Sequence, residues 1–502
     1  MLVTADPRVL VAVDLGTSAA KAGVVAPDGR LRGFARIPYA LLLDGAPGRA
    51  EQRPEAWWTA LVRGIGVARA QAAVDGPVEP IAICVVGQGP TLVATAADGH
   101  PLAPAITWLD RRAGHETSAA ATAIGRQGWV VGLLGRARLL AALRPEVAEG
   151  AAWLLSAWDH LAFRLTGVAA AALQDPTEAI TAAEARAAGL DERIAPPPVR
   201  AGSVIGTLRS EPAAELGLPL DLPVVAGAND AIATFLGAGL TAAGQAIDTG
   251  GTSGGFGLYV ERPVVVPPLW TGPAPLPGLH YVGGAMAGTG RALDWLVDDA
   301  LGGAATIAEL LAEAATVPAG AAGLLFLPYL AGERWPLHDP AARGAFVGLT
   351  LRHRRAHLVR AVLEAAAFAL RHVAAPAVAA GLPFTELRVT GGTAASRLWN
   401  QVKADVVGVE VVVPRVAEAS VAGAAVLAAV GAGLAADGRA GIDALVGVAE
   451  RLAPSPAARA IYERLAPEYV DLHARLAPAN AVLGAVEEQS RRPSTGDPVS
   501  LP

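Results

Sequence analysis

Apolar residues in this chain gather into short runs that end on a carboxylate or on glycine. The run from Val9 closes on Asp14 and is followed by Leu15-Gly16-Thr17-Ser18, after which AGVVAPDGRL carries the apolar pattern on towards Arg36. Short apolar runs bounded by turn residues predict strands, and Asp28-Gly29 between two such runs predicts a hairpin turn. The same arrangement returns from Ala246 to Val266, where IDTGGTSGG leads into FGLYVERPVVV. A third run, LRVTGGT from Leu387 to Thr393, ends on a Gly-Gly pair and gives way to a helical period from Ser396 to Val407.

The first two segments read as one motif used twice. Asp14 is followed by Gly16-Thr17-Ser18, and Asp248 by Gly251-Thr252-Ser253, before each chain enters another strand-like run. A duplicated strand–turn–strand predicts two related halves facing each other, and the copies lie too far apart for a solenoid repeat. Between them the pattern is mixed α/β. Trp153 to Leu165 predicts a helix, with apolar residues at 154, 158, 161 and 165; Gly202 to Ala233 predicts short strands, a turn and a helix start. A boundary near residue 245 gives comparable halves, and 502 residues exceed what one ordinary core sustains. From Glu487 the chain is polar and rich in Ser, Arg and Pro, which predicts a disordered tail.

Composition narrows the class. Apolar residues make up 53% and charged residues 17%, a globular balance, and the positive mean hydropathy of +0.40 comes largely from alanine. The nearest approach to a membrane span, Ala361 to Leu382, is interrupted by Glu364, Arg371, His372 and Pro376. No basic n-region precedes the first strand, so no signal peptide is expected. The single cysteine, Cys84, excludes an internal disulfide and a cysteine metal cluster; in the run IAICVV it reads as a small core residue. A net charge of −6 leaves no footprint for nucleic acid. These features suit a cytoplasmic enzyme with no membrane partner. Lysine is rare: Lys21 and Lys403 stand against 38 arginines in the 40 basic residues. A lysine that departs from such a bias marks either drift or a place that wants a compact ammonium.

The chemistry concentrates at the ends of the apolar runs. Asp14 puts a carboxylate at the end of a strand, and the LGTS turn offers backbone N–H groups and hydroxyls to an anion. Lys21 adds a point charge, and Asp14 is placed to hold Mg²⁺ through water. The plainer alternative is a hairpin with a polar turn. Gly251 to Gly255 also fits the G-x-S-x-G of a hydrolase, with Ser253 as nucleophile, but that elbow needs a helix after the serine and FGLYVERPVVV predicts a strand. Asp230 closes LPVVAGAND before a helix start, where it either accepts a proton from a bound hydroxyl or caps the helix. His353 and His357 are crowded by Arg352, Arg354 and Arg355 and read as a solvated basic face. GTGR at 288 to 291 lacks the spacing of a dinucleotide fingerprint, and no Walker-type loop occurs.

Together these segments resemble the FGGY family of carbohydrate kinases, within the sugar kinase, Hsp70 and actin superfamily. The most specific stretch is Gly344-x-Phe346-x-Gly348-Leu349, seven residues, then His357-Leu358-x-x-Ala361-Val362-Leu363-Glu364. Leu324 to His353 is similar to the xylulokinase branch, and Trp399, Gln401, Asp405 and EASVAGAAVLAAVGAG from Glu418 also match. The resemblance implies two ribonuclease H-like α/β domains with a cleft: an N-terminal domain over 9–245 on the sugar side and a C-terminal domain over 246–435 on the ATP side. A helical segment over 436–486 and the tail over 487–502 follow. It implies ATP and Mg²⁺ as cofactors, with Asp14 near the metal and the transferring phosphoryl. Thr17, Lys21, Gly251 and Thr252 fall at the ATP phosphates, Gly392 and Ser396 at the adenosine, and Asp230 at the general base.

On the sugar side the resemblance points to Gln88, Trp108, Asp110, Arg111 and Asn229 beside Asp230. Trp108, Asp110 and Arg111 lie in ITWLDRRA, similar to the family's Trp-x-Asp-x-Arg segment; interface packing with a surface ion pair is the alternative. Xylulokinases usually carry a Gly-Gln-Met-His-Gly loop where this chain reads Gly87-Gln88-Gly89-Pro90-Thr91, and the Arg-Glu pair of the glycerol kinase branch is missing too. Asn229-Asp230-Ala231 replaces the usual Gly-Asp-Asn, and Thr393 replaces the third glycine of the adenosine turn. The expected activity is ATP-dependent phosphorylation of a ketopentose such as D-xylulose, or of another ketose, polyol or aldonate. A non-catalytic sugar or nucleotide sensor on the same fold is the alternative of another class. A homodimer is compatible with either.

Overall fold

The computed structural model describes residues 6–192, 195–251, 254–288, 290–303 and 305–491. The chain divides into two compact units. One takes in the chain up to Ala243 with Gly272–His280 and Pro414–Ala449; the other takes in Gly244–Thr271, Tyr281–Val413 and the chain from Glu450.

The first unit is built on a six-stranded sheet ordered Val204–Thr207, Pro223–Val225, Glu79–Gly87, β1 (Arg8–Leu15), β2 (Ala19–Val25), β3 (Leu31–Pro38). β1, β2 and β3 form antiparallel hairpins, and β1 pairs in parallel with Glu79–Gly87. Both predicted turns are present. The Gly16 N–H donates to the Ala19 carbonyl at 3.1 Å, and Gly29 takes φ +79°, where a side chain would be strained. All of β1 except Arg8 is buried, the mark of a strand covered on both faces. One cover is α1 (Pro54–Val74), which starts on a proline at its first turn and buries Trp57, Leu61, Ile65, Ala68 and Ala72 at helical spacing. Gly33 permits that helix its approach, since a Cβ there would overlap the Ala68 carbonyl.

A further layer of this unit comes from far along the chain. Helix Ala419–Gly431 packs on helix Asp230–Ala238 backbone to backbone: a Cβ on Gly237 would overlap the Ala419 carbonyl, and one on Gly423 the Ala233 carbonyl. These contacts draw Pro414–Ala449 into the first unit, so the compact units do not follow a single cut near residue 245.

The second unit repeats the plan in a seven-stranded sheet. Its inner strands run His280–Met286, Gly254–Val260, Gln245–Thr249, Glu386–Thr390, Glu410–Pro414. Gln245–Thr249 is antiparallel to Gly254–Val260 and parallel to Glu386–Thr390, which is parallel to Glu410–Pro414. The first unit shows the same succession of orientations around β1, as the duplicated motif predicts. Helix Arg355–Ala379 is long and apolar enough to cross a membrane by length and composition, yet it is largely buried in the core of this unit. Its internal Glu364 is paired there, accepting from Arg360 Nε at 2.7 Å, Tyr462 Oη at 2.7 Å and the Gly320 N–H at 2.9 Å.

Two local expectations need correction. Trp153–Ser156 is a strand paired with Leu92–Thr95, and the helix begins only at Ala157, capped by Ser156. WLLS is too short for periodicity to separate strand from helix, and the cross-strand partner decides. At the C-terminus, helix Pro456–Arg491 continues past Glu487, whose carboxylate pairs with Arg343 at 2.5 Å. The remainder of the predicted tail, from 492, lies outside the described residues.

Candidate active site

In the first unit the site begins with the β1–β2 hairpin. Its register sets Asp14 opposite Lys21, so strand pairing alone brings carboxylate and ammonium together. Asp14 is 3% exposed; its Oδ2 accepts from Ser420 Oγ at 2.6 Å and lies 3.4 Å from Lys21 Nζ. Its Oδ1 is buried with no hydrogen-bond partner among the described residues. Burial raises the Asp14 carboxyl above its ordinary value, against the pull of Lys21 and Ser420. Lys21 also reaches Glu418 Oε2 at 2.9 Å; burial works against its charge, but Asp14 and Glu418 together hold its ammonium above the usual range. Glu418 and Ser420, at the start of helix Ala419–Gly431, are members of this site that sequence reasoning does not single out. The available signal is a carboxylate and a hydroxyl opening an apolar helix.

Asp230 shares this neighbourhood. It is half-buried at the first position of its helix and is pushed up to about 7, by burial and then by the charge of Asp14. Tyr39, whose hydroxyl donates to the Gly16 carbonyl, lies in the field of both aspartates. The helix is capped by Asn229, whose Oδ1 accepts from the Ala231 N–H at 3.0 Å. Asp230 is therefore the first helical residue and not the cap; its own Oδ1 accepts from the same Ala231 N–H at 2.8 Å, which leaves its second oxygen for other work. Asn229 also explains the loop before it. A Cβ on Gly89 would stand 2.8 Å from Asn229 Nδ2 and 3.0 Å from the Trp158 ring, so a methionine does not fit here without displacement.

The remaining sugar-side residues are only partly drawn to the same place. Gln88 is fully buried; its Nε2 donates to Gln52 Oε1 at 2.7 Å, Gln52 Nε2 donates to the Thr17 carbonyl at 2.6 Å, and Gln88 Oε1 has no partner among the described residues. Trp108 Nε1 donates to Thr17 Oγ1 at 2.9 Å, joining a residue expected beside sugar to one expected at phosphate. Asp110 is different. Both of its oxygens are engaged inside the unit, by the Ala50 N–H at 3.0 Å and by Arg112 through Nε and Nη2. It acts as a brace for its loop and offers no open ligand position. The ion pair expected with Arg111 is made by Arg112, which also meets the buried Glu51 at 2.7 Å. Arg111 is exposed, with its N–H donating to the Gly48 carbonyl. The spacing Trp-x-Asp-x-Arg itself points to 112, one residue beyond the expected position.

In the second unit Asp248 ends its strand as Asp14 does, but it is closed. Lys403 Nζ lies 2.6 Å from Asp248 Oδ2 and 2.9 Å from Thr393 Oγ1, with both charged side chains buried. Gly391 at φ +73° packs on the Gly250 carbonyl, and the Thr393 N–H donates to that carbonyl at 3.3 Å. Gly251 is half-buried and Gly392 exposed, with open space beside its Cα. Ser396 caps helix Arg397–Val407 by accepting from the Trp399 N–H at 3.2 Å, so its hydroxyl is already in use as an acceptor. Thr252 and Ser253 lie outside the described residues, but strand Gly254–Val260 follows them directly, which removes the helix a hydrolase elbow requires. His353 and His357 pack edge to face at 5.3 Å on an exposed segment. Among the described residues no group of three or more His, Cys, Asp or Glu converges as for a metal ion.

The comparisons with known proteins agree with this arrangement. The FGGY family of carbohydrate kinases matches through its N-terminal domain over residues 9–127 and its C-terminal domain over 248–432. A xylulose kinase of Staphylococcus epidermidis is 30% identical over 91% of this chain and 95% of its own length. A glycerol kinase of a Geobacter species is 32% identical over 85% of this chain and 90% of its own. The crystal structure of xylulose kinase from Rhodospirillum rubrum superposes with a TM-score of 0.79 at 31% identity, covering 94% of this chain and 100% of that one. Duplicated sheets, an aspartate at the end of each leading strand, and relatives along nearly the whole length lead to one conclusion: this chain belongs to the FGGY family of carbohydrate kinases and is a phosphotransferase.

Proposed function

We propose that the protein transfers the terminal phosphoryl group of ATP, with Mg²⁺, to a hydroxyl of a ketopentose, with D-xylulose as the leading acceptor, in the cytoplasm. The acceptor oxygen forms a bond to the terminal phosphorus, the bond to the ADP oxygen breaks, and the hydroxyl proton passes to the Asp230 carboxylate. The observation that carries this reading is the placing, within one unit, of Asp230 in the field of Asp14, with Asn229 as the helix cap and with Asp14 Oδ1 buried and unpartnered among the described residues. That oxygen suits Mg²⁺, which keeps several waters and needs one or two carboxylates besides phosphate oxygens. Bound there, the metal would neutralise phosphate charge. Thr17 and Lys21 serve the phosphates, as do Gly251 and Thr252; Gly392 and Ser396 serve the adenosine. Gln88, Trp108 and Asn229 serve the acceptor, and Arg112 with Asp110 holds their loop.

D-xylulose leads because of the names of the relatives. Gly89-Pro90 supplies no side-chain donor, so a polyol, another ketose or an aldonate competes for the assignment. A coupled ADP-release assay over pentuloses, hexuloses, polyols and aldonates decides among them. Asp230→Asn is expected to lower turnover by ~10²–10⁴-fold while ATP still binds, the range for loss of an acid–base group. Undiminished turnover in that variant would remove Asp230 from the mechanism, and absence of ADP formation across the whole panel would point to a sensor.

A further inference from the structure

Two oddities of the nucleotide-side unit answer each other. Lys403 breaks an otherwise almost pure arginine usage, and Thr393 stands where the family has its third glycine. In the structure they are partners. The buried Lys403 ammonium donates to Thr393 Oγ1 at 2.9 Å and pairs with Asp248 at 2.6 Å. Asp248 is two residues before Gly250, where the turn after the leading strand begins, and Thr393 closes the Gly391-Gly392 turn. The turns also touch directly, through the Thr393 N–H and the Gly250 carbonyl. A guanidinium is planar and forked; only a compact ammonium is matched to a carboxylate and a hydroxyl converging on one point.

We infer that Lys403 is a positioning residue that fixes the turn carrying Gly250-Gly251 against the turn carrying Gly391-Gly392-Thr393, and thereby sets the spacing at which the protein grips the two ends of one adenine nucleotide. The inference rests on the reading that the first turn serves phosphates and the second serves adenosine. Lys403 is assigned no contact with the ligand, because its buried ammonium is engaged by Asp248 and Thr393. What it contributes is the registration that lets two weak grips act as one. A ligand held at two places gains from the second only if the spacing matches.

The test compares ATP with its two halves. Calorimetry with Mg²⁺ measures ATP, inorganic tripolyphosphate and adenosine binding to the full chain and to Lys403→Met. The expected result is ATP weakened by about tenfold, with tripolyphosphate and adenosine each changed by less than about twofold, because only the linkage between the grips is lost. ATP binding unchanged, or all three probes weakened alike, overturns the inference. Thr393→Val keeps the ion pair and removes only the hydroxyl arm. It is expected to show the same selectivity at about threefold. It decides the matter if Lys403→Met does not fold, and an ATP affinity equal to that of the unaltered protein then overturns the inference. Failure of the parent reading looks different: the unaltered protein would bind none of the three probes, and the inference would fall with it.

Discussion

The two halves of the molecule carry the same pair of residues in opposite states. In each, an aspartate at the end of a leading strand faces one of the chain's two lysines. In the first half the pair is open. The Lys21 side chain is 27% exposed, shares its charge between Asp14 and Glu418, and leaves Asp14 Oδ1 without a partner among the described residues. In the second half the pair is sealed, with side-chain exposures of 3% for Lys403 and 6% for Asp248, and the ammonium's second bond goes to Thr393. On the functions proposed above, one arrangement is kept available for chemistry on one side and turned into a brace on the other. Exposure and the unfilled oxygen separate the roles, because the residue types are identical.

The largest test exchanges the lesion between the halves. Asp14→Asn is expected to lower phosphoryl transfer by on the order of 10²–10³-fold, as loss of a group that stabilises transition-state charge does. Its thermal midpoint should hold, since a neutral amide is easier to bury than an under-partnered carboxylate. Asp248→Asn should do the reverse. It leaves the Lys403 ammonium buried without its counter-charge, a loss of about 3 kcal/mol or more in denaturant unfolding. Similar stability losses in both variants would erase the distinction between an open and a sealed pair.

The next effect is a pH dependence of turnover, set in the first half. In the proposed mechanism Asp230 must be ionised to take the acceptor proton, and its carboxyl is pushed up to about 7 by burial and then by the neighbouring Asp14. Activity per acceptor at low concentration should therefore fall by about tenfold for each pH unit below that value. Stability moves the other way. A carboxyl raised in the fold from its ordinary 3.8 contributes fully below that pH, and the contribution is lost as pH climbs through about 7. A profile flat from pH 5 to 8 would take the proton-accepting role away from Asp230.

Much of this contrast is legible in the order of residues alone, and the misses share a cause. The hairpins around Gly16 and Gly29, the strand after Gly255 and the repeated motif are local, set by turn residues and apolar runs that act within a few positions. Asp14 and Asp230 can be named because strand ends and helix starts are local too. What cannot be read is which distant segment completes the site. The bond from Ser420 to Asp14 spans 406 positions, and helix Ala419–Gly431 joins the first unit through backbone packing at Gly237 and Gly423, which leaves no periodic trace. The open or sealed state of each lysine is likewise a property of what covers it. Composition marks Lys21 and Lys403 as exceptions, and only the packing around them distinguishes one from the other.

The smallest expected effect gives the sharpest contrast with the sealed side. Lys21→Met removes an ammonium that Glu418 holds at 2.9 Å and that lies 3.4 Å from Asp14. Lys21 and Glu418 are partly exposed, so Glu418 can turn to water, while the buried Asp14 keeps its bond from Ser420 and, already raised by burial, can take up a proton; the unfolding midpoint should move little. Substrate binding should still suffer. A cation that leaves Glu418 for a phosphate oxygen makes a charge-assisted hydrogen bond, and its loss should raise the KM for ATP by about tenfold with little change in the KM for the acceptor. Glu418→Gln should act in the opposite sense at this contact, loosening the hold on the ammonium in the resting protein. If Lys21→Met destabilises the fold and leaves the KM for ATP untouched, then Lys21 is a brace like Lys403, and the phosphates depend on other groups in both halves.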